Sequence, residues 1–126
     1  MRQVAVSVVI LGLICGLGCW TNKMLQESAQ NLVFHINLVV DEIKAERWSE
    51  AENHIGELEE AWKRYVGWWP IILNHQEIDN IEFSLARCRE YVTSRSKPLS
   101  LGQLSELKRM VEHIPAKEAV TWKNIL

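Results

Sequence analysis

The chain has 126 residues and a mass of 14.6 kDa, with 48% apolar and 24% charged residues, the proportions of an ordinary globular protein. All sixteen acidic residues follow position 22, whereas only Arg2 of the fourteen basic residues precedes it, so the last 104 residues carry a net charge of −3. That remainder is too small for two domains or a large cofactor-binding α/β enzyme, and without a lysine or arginine cluster it excludes a nucleic-acid surface; no nucleic-acid partner is expected.

The first predicted element runs from Val4 to Trp20, nearly all apolar, with Arg2 before it and Lys23 after it. Its seventeen residues would span about 25 Å as a helix, at the short end for crossing a hydrocarbon core of about 30 Å. A single-pass anchor over residues 1–22 is the leading reading. A cleaved signal peptide ending near Gly18 and a lipoprotein signal ending at Cys19 compete with it. All three place residues 23–126 outside the cell membrane, with the N-terminus of the anchored form cytoplasmic. Gly12 and Gly16 form a G-x-x-x-G pair in this segment, which would let two membrane helices approach closely. Cys15 and Cys19 also belong to it, so Cys88 is the one thiol beyond it, and no disulfide within that part is expected.

Past Lys23 the apolar residues recur at helical spacing. Leu25, Ala29, Leu32, Ile36, Val39 and Ile43 alternate steps of four and three, which places them on one face of a helix. No breaker separates Trp20 from Glu46, so this helix is expected to continue the membrane segment outward. Leu32, Val33, Phe34, Ile36, Leu38, Val39 and Val40 nearly surround its middle, which predicts the most buried helix of a bundle.

Ser49 and Glu52 read as a capping box opening a second helix, striped by Ala51, Ile55, Leu58, Trp62, Tyr65 and Trp69. Its end is expected between Gly67 and Pro70. Asn74 with Glu77 reads as the cap of a third helix, striped by Ile78, Ile81, Leu85, Cys88 and Val92. Ser94 to Ser100 reads as a loop. Leu101, Leu104, Leu107, Val111 and Ile114 then mark a fourth helix, expected to stop at Pro115. The fold class is therefore all-α: an N-terminal transmembrane helix leading into a small antiparallel bundle of about four helices. A coiled-coil dimer competes, because the same spacing is a heptad; the short length of each stripe favours the bundle.

Candidate sites are few. Of six tryptophans, Trp62 and Trp69 fall on the core stripe, while Trp68 lies off it beside a helix end, as a cap over the core or the edge of a binding surface. His75, Glu77, Asp79 and Glu82 cluster at the start of the third helix, and with His54 or His113 from another helix they would form a ligand or metal site. The residues specify no particular metal, and no cofactor is implied. Acidic residues in a first helical turn also favour the helix dipole, which needs no ligand. There is no G-x-S-x-G and no phosphate-cradling glycine loop, and Cys88 stands at a core position; no enzymatic activity is expected.

Trp48, Ser49, Glu50 and Ala51, then Trp62, then His75 to Asp79 followed by Ser84, Leu85, Ala86 and Arg87, the Glu112 to Pro115 run, and the closing Lys123 to Leu126 form an ordered set. In these the chain resembles a domain-of-unknown-function family of short proteins from spore-forming Gram-positive bacteria, with an N-terminal hydrophobic segment and a helical remainder. Members commonly have Glu where this chain has Gln76. The resemblance implies architecture and no activity; if its motifs mark function, it points to His75, Glu77, Asp79 and His113. The expected role is a membrane-anchored module of the bacterial envelope acting by contact with another envelope protein or with itself, or otherwise a ligand- or metal-binding domain.

Overall fold

A computed structural model describes residues 1–69 and 74–125, with side chains through Ile114. It contains four helices: α1 (Arg2–Lys44), α2 (Trp48–Val66), α3 (His75–Thr93) and α4 (Lys97–Ile125). α1 packs against α2 and α4, and α3 packs against the same two, so the four form a closed square in chain order. The short connections and the cross-helix pairs make it antiparallel: Tyr65 on α2 reaches Asn31 on α1, Trp62 on α2 reaches Glu82 on α3, and Arg87 on α3 reaches Gln103 on α4.

The apolar stripes explain this arrangement residue by residue. Every stripe position from Leu25 to Ile43, from Ile78 to Val92 and from Leu104 to Ile114 is buried, and on α2 only Tyr65 is half-buried. One continuous core results. The middle of α1 is less enclosed than its composition suggests, because Phe34 points outward at 58% exposure while Val33 and Val40 lie half-buried against the core. A corner helix of a square bundle has partners on two sides and water on the third.

The turns at one end are built alike. The amide of Arg47 donates to the Glu42 carbonyl and that of Glu46 to the Ile43 carbonyl, both at 2.9 Å; Ser96 donates to Tyr91 and Arg95 to Val92, both at 3.0 Å. These are Schellman closures, which need a left-handed residue, and Glu46 (φ 59°) and Arg95 (φ 57°) supply it where glycine is usual. Lys97 Nζ lies 3.9 Å from a Glu46 carboxylate oxygen, which ties the two turns together.

Four local expectations change. Ser49 does not cap α2: the N-cap is Arg47, no side chain accepts there, and Ser49 sits inside the first turn. The Schellman closure already commits the chain to start α2 two residues earlier. Gly67 does cap α2, but at φ −63° and ψ −30°, a right-handed conformation open to any residue; Pro70 lies outside the described residues. The loop after α3 shrinks to Ser94–Ser96, because Pro98 falls in the first turn of α4, where its missing N–H is no loss. Finally, α4 does not stop at Pro115 but runs to Ile125. Proline removes one intrahelical bond and crowds the preceding turn, at a cost of about 3 kcal/mol, which bends or weakens a helix without forbidding the turns beyond it. The Asn74 cap is present, its Oδ1 accepting from the Glu77 amide at 2.9 Å.

α1 is unbroken for 43 residues, about 65 Å at helical rise. It is the one helix among the described residues that is long and apolar enough to cross a membrane; its most apolar 18-residue window has a mean hydropathy of 2.2 and is 6% buried.

Candidate functional site

The cap at Asn74 fixes the start of α3 and thereby the direction of every side chain in its first turns. His75 and Asp79 are exposed, Glu77 is half-buried, and Ile78 is buried beneath them. Opposite, α4 presents Met110, His113 and Ile114. Glu77 and His113 meet in a groove of about 180 Å³ lined also by Asn80, Ile81, Met110 and Ile114. His75 and Asp79 do not line it. Nor does Glu82, which turns toward α2 and accepts from Trp62 Nε1 at 3.3 Å.

Among the described residues, no three His, Cys, Asp or Glu side chains stand close enough to share a metal ion. His54 is engaged within α2, its Nδ1 2.9 Å from Glu57 Oε2. What the groove offers is an apolar floor with one carboxylate and one imidazole at its rim, suited to a small amphipathic group. Asn80 and Met110 belong to it although neither stands out in the sequence. Their places one residue before Ile81 and four before Ile114 would mark them once α3 and α4 are known to face each other.

Trp68 is half-buried and packs on the core. Its ring meets Trp69 edge-on at 6.3 Å, and Trp69, fully buried, takes Trp62 edge-on at 5.3 Å and stacks on Tyr65 at 6.2 Å. These four rings close the lower end of α2. A second concavity, about 290 Å³, lies at the opposite end and is lined by Glu46, Arg47, Trp48, Ser49, Glu50 and Arg95. Arg47 there donates from Nε to Glu42 at 2.5 Å, and this hydrogen bond holds the Glu42 carboxyl below its usual range.

Cys88 is fully buried, and burial pushes its thiol up to about 12, so it stays protonated and unreactive at neutral pH. Gly12 and Gly16 stand open on the bare part of α1: a Cβ built at either meets nothing within 4 Å. Gly16 is nine residues from Leu25, half a helical turn out of phase with the core stripe.

The fold defines a class: a small up-and-down helical bundle continuous with an exposed apolar N-terminal helix. The chain belongs to a family of domains of unknown function, DUF4363, whose pattern matches residues 19–125. The match takes in the whole bundle and leaves out most of the apolar segment, Gly12 and Gly16 included. No curated protein and no solved structure matches the chain.

Proposed function

We propose that the protein is a single-pass, membrane-anchored, non-catalytic contact module of the bacterial envelope, with its N-terminus cytoplasmic and its bundle outside, of the kind the sequence resemblance associates with spore-forming Gram-positive bacteria. One observation carries this reading. The bundle core is complete within the chain, yet the apolar helix below it is bare, with Val4, Leu13, Leu17 and Trp20 each 59–69% exposed. So large an unpartnered apolar surface is costly in water and favourable in lipid. The non-catalytic part rests on the buried, protonated Cys88 and on carboxylates and histidines held apart or already paired. Gly12 and Gly16, facing away from the bundle, are where a second copy would pack in the membrane.

The test is alkaline carbonate extraction, followed by crosslinking in native membranes and identification of what co-purifies. The protein is expected in the pellet, crosslinked to itself or to one envelope protein. Release by carbonate sinks the anchor; a strictly solitary protein sinks the contact role.

A second reading is favoured by the shared groove of Glu77 and His113: a ligand- or metal-binding domain using them with His75, Asp79 and Trp68. Binding to the native state must raise the unfolding midpoint. An unchanged midpoint of the detergent-solubilised protein across divalent metals and cell-wall fragments would remove this reading.

A further inference from the structure

The packing of the bundle does not end where the apolar segment begins. Extending the core stripe of α1 downward from Leu25 by steps of three and four gives Asn22, Gly18 and Cys15. Gly18 is buried, and Asn22 and Cys15 are half-buried, whereas Leu13, Ile14, Leu17 and Trp20 around them are 48–69% exposed. The seam therefore enters the apolar segment by about two turns, in phase with the core. α4 has the reach to make it: Lys97 to Ile125 is 28 residues, and Glu46, beside Lys97, is also 28 residues from Gly18.

Gly16 and Gly18 are where a lone helix would bend most easily, since glycine is a poor helix residue and helices kink at such places. Here one of the pair lies under packing. We infer that the junction is a rigid stand-off: anchor and bundle move as one body, and the turns at Glu46 and Arg95 are held at a set height above the bilayer. This rests on the membrane reading given above. Lys23 to Lys44 is 22 residues, so with a tilt of about 20° the height is about 30 Å. A partner met by those turns lies away from the lipid surface, not on it.

The test uses the full chain with Cys15→Ala, Cys19→Ala and Thr93→Cys, labelled with a donor at position 93 and reconstituted in phosphatidylcholine–phosphatidylglycerol vesicles bearing headgroup acceptors. Time-resolved energy transfer is expected to give one narrow distribution of height near 30 Å. Inserting Gly-Ser-Gly-Ser after Asn22 is expected to broaden it and extend it toward the surface. A parent distribution as broad as that of the insertion variant overturns the stand-off. Vesicle flotation separates the causes: protein that floats but gives the broad distribution refutes rigidity alone, and protein that does not float refutes the anchor and the stand-off together.

Discussion

Arg89 on α3 donates to Glu59 on α2 through both Nε and Nη2, the Nε bond measuring 2.7 Å, and this is the one ion pair that joins helix to helix among the described residues. The hydrogen bond to Glu59 raises the affinity of the guanidinium for its proton. The two side chains are 41% and 32% exposed, so water and salt screen the pair. Arg89→Met is expected to lower stability by roughly 0.5 kcal/mol, with the difference shrinking in 0.5 M salt. Chemical denaturation in detergent at two ionic strengths measures it; a loss above 2 kcal/mol would mean the pair is held far more firmly than its exposure implies.

The α3–α4 seam is held by polar groups that cannot be removed singly. Gln103 Nε2 donates to Ser84 Oγ at 2.7 Å, and Gln103 Oε1 accepts from Arg87 at 3.3 Å. Gln103→Leu should cost about 1–3 kcal/mol, because it strands the fully buried Ser84 hydroxyl; adding Ser84→Ala should recover most of that loss. A double-mutant cycle reads the coupling, and simple additivity would show the bond to be unimportant.

Trp68 and Trp69 are neighbours with opposite roles. Trp69→Ala removes a fully buried ring and is expected to cost about 3–5 kcal/mol. Trp68→Ala, at a half-buried position, should cost well under half of that. Equal losses would show Trp68 to be as central to the core as its neighbour.

Glu46 and Arg95 hold a left-handed backbone that glycine adopts without strain. Glu46→Gly and Arg95→Gly are each expected to stabilise the bundle by roughly 0.5–1 kcal/mol, seen as a raised unfolding midpoint. Lower midpoints for both would show that the side chains contribute more than the backbone strain costs.

The Cys88 thiol gives an alkaline signature. Folded, it ionises only near 12, against an ordinary value of 9.0. The native state thus keeps the proton that the unfolded chain releases, so stability is intact below about pH 8.5 and is lost as pH rises from there toward 12. Between pH 9 and 11 the parent should lose about 1.4 kcal/mol per pH unit more than Cys88→Ala does. Parallel slopes for the two proteins would show that the thiol is not desolvated. A thiol reagent should label Cys88 only after unfolding.

Much of this fold was legible in the chain because helical burial repeats every three or four residues. Leu25 to Ile43, Ile78 to Val92 and Leu104 to Ile114 are buried as their spacing requires, and the Asn74 cap forms because its hydroxyl-like acceptor has a free amide within one turn. The failures are equally local in cause. Ser49 looked like a cap, but the turn before it, closed by the Arg47 and Glu46 amides, had already set where α2 begins. Pro115 looked like a stop, but one lost bond does not outweigh a helix continuing to Ile125.

Pattern along the chain determined the element type, the core faces and the bare apolar segment, since each depends only on which residues are apolar and how far apart they stand. Tertiary structure alone decided that Glu77 shares a groove with His113 rather than with His75 and Asp79, that Glu82 turns to Trp62, and that the core seam reaches down to Gly18. These depend on which helix lies beside which, and at what height, and helical periodicity carries no information about either.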